Sequence, residues 1–199
     1  EMANRFAYVF YVTPGPAPLT NTAYWGPPVR AGVPQRALKT NVGPNMNVNS
    51  IDFRYDGLAP TRVKGQVQDR RSNQTVPVQT ATSTRLALAA QRALLTQSCT
   101  RVRQFRQSGL DATQALARAQ ADTDAAADRT VMATGELDAM RYQGILKPRG
   151  LVGLQGAGYT YDGLYYVQQV THRIRAGAYT QQFTLTREGT GALTPTVVP

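Results

Sequence analysis

The sequence predicts a mainly β (α+β) fold, an antiparallel β-barrel or sandwich with one alanine-rich helix packed across it. After Arg129, four stretches of strand-forming residues are separated by glycine-bearing turns. Before Arg129, one run of strong helix formers stands alone, and shorter stretches with period-two alternation supply further strands. A chain of 199 residues can bury a sizeable core in one large domain or two small ones.

The four C-terminal strands are predicted at residues 130–137, 145–154, 164–174 and 178–187. In the last of them Tyr179, Phe183 and Leu185 share one face with Gln181, while threonines dominate the other face. This alternation indicates a half-buried strand, so we expect the aromatic face to lie in the core. Residues 191–199 are expected to form a Thr/Pro tail.

One helix is predicted at residues 111–128. Asp111 is its expected N-cap, and the residues that follow are strong helix formers. Leu116 is the one large apolar side chain, expected near a face of small residues that includes Ala115 and Ala119. Such a face permits close approach to a sheet or a neighbouring helix.

The middle of the chain contains shorter strands. Residues 47–56 alternate with period two and place Ile51, Phe53 and Tyr55 on the face expected to be buried. A turn at residues 56–57 and a second strand at 62–69 predict an antiparallel pair, and a short strand is expected at 75–79.

The N-terminal part combines an aromatic strand at residues 4–13 with a proline-rich loop at 14–44 that contains Trp25. Proline interrupts both sheets and helices, so at most one short edge strand is expected there, at 29–33. Loops this long commonly make contacts, and we expect this loop to reach a neighbouring chain. The expected division is therefore 1–44 for strand and contact loop, 45–190 for the β-region with its helix, and 191–199 for the tail.

The charge balance favours anionic partners. The formal net charge is +10, and Arg101, Arg103 and Arg106 form one tight cluster. Read as a strand, this cluster presents Phe105 beside Arg101 and Arg103, a pattern compatible with a phosphate backbone or with an acidic protein face. A nucleic-acid-binding module is thus the alternative, and a protein interface or a solvated face is the preferred interpretation.

Enzyme chemistry has little support in the residue inventory. The chain has one cysteine, Cys99, and one histidine, His172, which no Ser, Asp or Cys accompanies at a spacing typical of a triad. Glu136 and Asp138 lie on the same side of a strand, and a glycan hydrolase would need such a pair inside a cleft. No catalytic residue, cofactor or metal site is predicted. No apolar stretch approaches the roughly 20 residues that a membrane-spanning helix requires.

The C-terminal strands resemble the late control D family of phage-tail and contractile-injection proteins. The resemblance rests on Gly163-Leu164-Tyr165-Tyr166-Val167, on Val170-Thr171-His172 and on Phe183-Thr184-Leu185-Thr186-Arg187. These match the G-x-Y-x-V, V-x-H and F-x-L-x-R patterns of that family. The resemblance covers about residues 45 to 190 and is strongest over the last 60 or so.

The resemblance implies a tail-tube-like barrel and a structural role without catalysis. A family member of this kind is a baseplate hub, a homotrimer that joins a trimeric spike protein to the hexameric inner tube and contacts other baseplate components. It would reside in an assembled contractile particle that is built in the bacterial cytoplasm. The residues expected to serve structure or interfaces are Tyr166, His172, Tyr179, Phe183, Leu185, Arg187, Trp25, Arg101, Arg103 and Arg106.

Overall fold

The computed structural model describes residues 2–193. The strands are β1 (Val9–Pro14), β2 (Asn21–Gly26), β3 (Gln35–Lys39), β4 (Val48–Tyr55), β5 (Thr61–Gln68), β6 (Thr75–Gln79), β7 (Ala89–Arg92), β8 (Arg101–Gln104), β9 (Val131–Asp138), β10 (Leu151–Gln155), β11 (Gly163–Arg175), β12 (Ala178–Arg187) and β13 (Gly189–Ala192). The helices are α1 (Met2–Arg5), α2 (Ala93–Thr96), α3 (Ala112–Ala127) and α4 (Ala139–Tyr142), with a 3₁₀ turn at Gly43–Asn45. The predicted mainly β fold with one main helix is confirmed.

The chain divides into two compact units built from interleaved segments. The first unit comprises the described residues of Glu1–Pro28, Thr61–Thr84 and Arg101–Ala125. The second comprises those of Val29–Pro60, Arg85–Thr100 and Ala126–Pro199. Each unit is closed by segments that are distant along the chain.

The second unit is built on a six-stranded sheet in the order β3-β10-β11-β12-β9-β4, curled into a half-barrel. The pairings are antiparallel except for β3 with β10, which run parallel. Its core gathers apolar side chains from every strand of this sheet, together with Tyr142 of α4 and Leu146. A separate two-stranded sheet pairs β7 with β13.

The first unit contains a three-stranded sheet in the order β6-β5-β8 and the β1–β2 hairpin. Ala115 and Ala119 of α3 are completely buried in a cluster with Val63, Val67 and Phe105. The small alanine side chains make this close packing possible. Asp111 accepts a hydrogen bond from the backbone N–H of Gln114 at 2.7 Å, so it caps the helix as predicted.

A second carboxylate ties the start of α3 to the turn after β5. Asp69 accepts hydrogen bonds from the Ser72 hydroxyl at 2.7 Å and from the Ala112 N–H at 3.2 Å. The Ser72 hydrogen bond is the largest cause of a pKa for Asp69 below its ordinary value. The turn and the helix start therefore share one ionised acceptor.

Two expectations about packing partners are wrong. Residues 47–56 and 62–69 do form strands, but β4 pairs with β9 whereas β5 pairs with β6 and β8. Alternation determines which side chains share a face but not which strand lies alongside. Leu116, expected on the buried face of the helix, is 49% exposed because Ala115 and Ala119 form that face instead.

Several element boundaries also differ from the expectation. The aromatic strand begins only at Val9, because residues 2–5 form α1. The proline-rich stretch contains β2 and β3, whereas residues 29–33 are not a strand. Residues 139–142 form α4, and the strand expected from residue 145 begins at Leu151. Proline fixes its own φ and favours an extended backbone at the residue before it, so strands fit between the prolines.

The predicted tail begins as a strand. Gly189 to Ala192 pair with β7, and Gly189 approaches the backbone of Gln91 too closely for a side chain. The remainder of the predicted tail, residues 194–199, lies outside the described residues.

Candidate assembly surfaces

The β1–β2 hairpin exposes large apolar side chains in the first unit. Phe10 and Trp25 face each other in the register and are 61% and 51% exposed. Val12 and Phe6 are exposed close to them in the sequence. Contiguous exposed apolar groups of this size commonly mark protein–protein contacts. Trp25, predicted as an interface residue, is thus available to a partner.

The aromatic rings at the base of this hairpin pack against one another. Tyr8 meets Trp25 edge-to-face, with ring centroids 5.0 Å apart and planes at 78°. Phe6 meets the same indole at 6.5 Å and 74°. Edge-to-face pairs are favourable beyond the area they bury. We call the rings of Phe6, Tyr8 and Trp25 the aromatic cluster.

The predicted arginine cluster lies on and after β8, an edge strand of the first unit's sheet. All four residues of β8 are exposed, and its one partner strand among the described residues is β5. Arg103 forms an ion pair with Asp122 of α3. Phe105, expected beside the arginines, is buried in the core. Arg101 and Arg106 are exposed, so the arginines remain at the surface without the aromatic group that would accompany them.

The long β11–β12 hairpin carries most of the other predicted residues. Tyr166, Phe183 and Leu185 are buried toward its base, Phe183 and Leu185 in the main core and Tyr166 beside Leu88 and Leu151. Beyond Val167 the side chains of β11 are largely exposed up to the turn at residues 176–177. The predicted face of β12 is therefore buried at Phe183 and Leu185, near the base of the hairpin, whereas Tyr179 on its outer half stays partly exposed.

His172 and Tyr179 meet on the outer half of this hairpin. The His172 Nδ1 lies 2.8 Å from the Tyr179 hydroxyl, and the two rings stack with centroids 6.0 Å apart. The Gln181 side-chain amide is 3.3 Å from the same nitrogen. These contacts join His172 of β11 to two side chains of β12, so the histidine braces the hairpin.

Arg187 is completely buried and bonded to backbone carbonyls. Its guanidinium donates to the carbonyl oxygens of Thr160, Asp162 and Gly189, each at 2.9 Å. It also lies over the Tyr165 ring, 4.4 Å from the centroid. Burial lowers the pKa of Arg187 and raises the pKa of Tyr165 to about 12. Arg187 therefore holds the 160–162 turn against the end of β12.

A buried charge network was missed by the sequence prediction. Arg30 donates to Glu188 at 2.7 Å and forms a second ion pair with Asp128, which also bonds Arg85 at 3.0 Å. Glu188 in turn accepts hydrogen bonds from the backbone N–H groups of Leu88 and Ala89. Arg30 lies in the proline-rich stretch, where no periodicity marks it as buried, and its partners are 98 and 158 residues away.

From β4 to the outer half of β11, the face of the six-stranded sheet opposite the core is polar. One cross-strand row runs Asp52, Thr134, Thr184 and Gln169 over four neighbouring strands. The next row includes Glu136 opposite Gln182. These side chains line a shallow depression of about 440 Å³. Apolar packing is absent from these rows, which suits a surface that remains in contact with water.

Groups considered for chemistry are engaged in structural contacts. Asp138 accepts a hydrogen bond from the Met140 N–H at 2.8 Å and caps α4, while Gln182 approaches Glu136 at 3.4 Å. Asp124, a buried carboxylate of α3, likewise accepts hydrogen bonds from Thr84 and Gln120. From residue 2 to residue 193, no group of three or more His, Cys, Asp or Glu side chains is arranged to hold a metal ion. Within the same range, no helix is both long and apolar enough to span a bilayer.

Two solved tail proteins have a similar fold. A tail protein from Neisseria meningitidis MC58 matches 94% of this chain and 52% of its own, with a TM-score of 0.57 and 14% identity. The 43 kDa tail protein of prophage MuSo2 from Shewanella oneidensis matches 76% of this chain and 43% of its own, with a TM-score of 0.50 and 11% identity. No family model and no curated protein matches the sequence. The chain spans about half the length of these tail proteins and shares their fold.

Proposed function

We propose that this chain is a structural component of a phage-tail-like particle, and specifically the baseplate hub of a contractile injection system. The observation that carries the proposal is the fold likeness to a tail protein over 94% of the chain. The late control D resemblance of the C-terminal strands supports the hub role in particular. In this role the chain is not an enzyme and needs no cofactor.

A hub of this type is a homotrimer that joins the trimeric spike protein to the hexameric inner tube and touches other baseplate components. Two features of the second unit support a ring. The terminal strands β3 and β4 of its sheet each have one neighbour among the described strands, and an open edge can pair with another chain. The polar rows on the sheet would then line the lumen, since water and cargo pass there. The particle would be assembled in the bacterial cytoplasm.

The native mass of the purified chain tests this proposal. We expect light scattering to give a trimer, either alone or on mixing with the spike protein, and electron micrographs to show three-fold rings. The double variant Phe10→Ser/Trp25→Ser removes two exposed apolar side chains and is expected to weaken assembly. Tyr159→Ser, which changes an exposed aromatic residue elsewhere, is the matched control. A chain that stays monomeric with the spike present would refute the hub role.

A basic nucleic-acid-binding module is the alternative, motivated by the net charge of +10. It predicts binding that weakens steeply with salt and depends on Arg101 and Arg106. The burial of Phe105 and the pairing of Arg103 with Asp122 reduce the support for it. Retention of the monomer by single-stranded DNA at low salt, lost in Arg101→Gln/Arg106→Gln, would favour this alternative over the hub.

A further inference from the structure

A cavity of about 610 Å³ in the first unit has two arginines in its wall. Arg5 ends the short helix α1, and Arg118 projects from α3. Between them the wall contains the apolar side chains of Phe6 and Leu110 and the polar side chain of Gln114. The cavity thus combines two cations with an apolar surface.

The guanidinium of Arg118 has unused hydrogen-bond donors. Its Nε and Nη1 atoms are buried and have no hydrogen-bond partner in the described part of the protein. Arginine carries five N–H donors and stays charged, so burying two of its nitrogens without an acceptor is costly. An acceptor supplied from outside the chain would remove this cost once the Arg118 side chain turns these nitrogens toward the cavity that it lines.

The acidic residues of α3 do not supply that acceptor. Asp122, one helical turn after Arg118, forms its ion pair with Arg103. Asp124 accepts hydrogen bonds from Thr84 and Gln120, and the N-cap residue Asp111 accepts the Gln114 N–H. The two cavity arginines therefore attract an external anion, and a planar guanidinium can bind a carboxylate through two parallel hydrogen bonds.

The apolar part of the wall continues onto the exposed hairpin. Phe6 lines the cavity and also contacts Trp25 in the aromatic cluster. A ligand that placed an anion between the arginines would have apolar surface immediately beside it. Phe6 is itself held against Trp25, and the wall beside it continues with the aliphatic Leu110, which offers no ring for base stacking. This arrangement favours a peptide over a nucleic acid.

We propose that this cavity binds an acidic peptide segment of a partner protein, with an Asp or Glu carboxylate between Arg5 and Arg118 and an adjacent apolar side chain against Phe6 and Leu110. The site lies entirely within the first unit. It is independent of the hub proposal, because it requires neither a trimer nor a particular particle.

Fluorescence anisotropy with a fluorescein-labelled, amidated peptide of alternating Glu and Leu tests the proposal. We expect Arg118→Gln and Arg5→Gln each to weaken binding by about tenfold, the usual consequence of losing a charge-assisted hydrogen bond. Arg101→Gln removes the same charge from an exposed position on β8 and should leave affinity within about twofold. A peptide with Gln in place of Glu should bind the unchanged protein no better than the Glu peptide binds the double variant Arg5→Gln/Arg118→Gln.

Three results would overturn the site. Equal weakening by the Arg101 and cavity variants would mean non-specific attraction to a basic surface. Tighter binding of oligothymidine than of the peptide, dependent on both cavity arginines, would make the ligand a nucleic-acid phosphate. If the peptide does not bind at a protein concentration of about 1 mM, the cavity is not a peptide-binding site. If circular dichroism shows that Arg118→Gln lowers the helix content, the test of the site rests on Arg5→Gln, because Arg5 is exposed. The native mass measured on the same samples reports separately on trimer formation.

Discussion

Gly135 and Phe183 show how one residue position depends on another across a sheet. They lie directly opposite each other on β9 and β12. The Phe183 ring lies across Gly135, where an added Cβ would be only 2.6 Å from its Cζ atom. A glycine inside a strand weakens the sheet because it has no side chain to pack, and an aromatic ring that lies over it restores the packing. Phe183 is consequently almost completely buried although it borders a polar sheet face.

Replacing Phe183 by alanine is expected to lower the free energy of unfolding by about 3–5 kcal/mol, because a large buried side chain leaves a cavity. Gly135→Ala should also destabilise the protein, since its Cβ collides with the same ring. Urea unfolding followed by circular dichroism measures both effects. Thr184→Ala, one position along on the opposite face, is the control, and equal stability of the Phe183 and Thr184 variants would contradict this packing.

At the scale of elements, α3 illustrates a helix defined by its smallest side chains. Ala115 and Ala119 are buried against the sheet of the first unit, while the larger Leu116 points outward. Asp111 and Asp69 accept hydrogen bonds from the first turn. The helix is therefore positioned by its close approach to the sheet and by the carboxylates that accept hydrogen bonds from its first turn. Large apolar side chains of the helix itself contribute little.

Larger side chains on the buried face of this helix should destabilise the protein. Ala119→Leu is expected to cost about 1–3 kcal/mol through overpacking against Val63 and Val67. Leu116→Ala should change stability by no more than about 0.5 kcal/mol, because the side chain is exposed and alanine is a good helix former. The one tryptophan, Trp25, lies in the same unit, so its fluorescence during urea unfolding reports on both variants. A larger loss of stability in Leu116→Ala than in Ala119→Leu would contradict this assignment of the buried face.

At the scale of the molecule, the buried charges join segments that are far apart in sequence. Arg30 precedes β3, Asp128 follows α3, and Glu188 lies between β12 and β13. All three belong to the second unit, so the network closes that unit around its sheet. Such pairs are retained only when each charge has a partner, because an isolated buried charge is very unfavourable.

Arg30→Met is therefore expected to destabilise the protein by about 3–5 kcal/mol, since it leaves Glu188 buried without its cation. Arg36→Met is the matched control, because Arg36 is exposed and donates a surface hydrogen bond to the Gln143 side chain at 2.8 Å. Thermal unfolding by circular dichroism distinguishes the two. A melting temperature of the Arg30 variant equal to that of the control would show that the network contributes no net stability.

The sequence by itself determined the features that depend on local patterns. The bounds of β6 and β12 agree with the prediction, and α3 agrees within one residue, because period-two alternation, helix propensity and an N-cap act over a few neighbouring positions. The burial of Phe183 and Leu185 followed from the same alternation.

Only the tertiary structure decided which segments meet. The pairing of β4 with β9, the division into interleaved units and the Arg30 network all involve residues many positions apart. The same is true of the cavity between Arg5 and Arg118. A local pattern states that a side chain will be buried or exposed, but its partner is chosen by the free energy of the whole fold. Burying a charge or pairing an edge strand is favourable only when distant residues supply the complementary group.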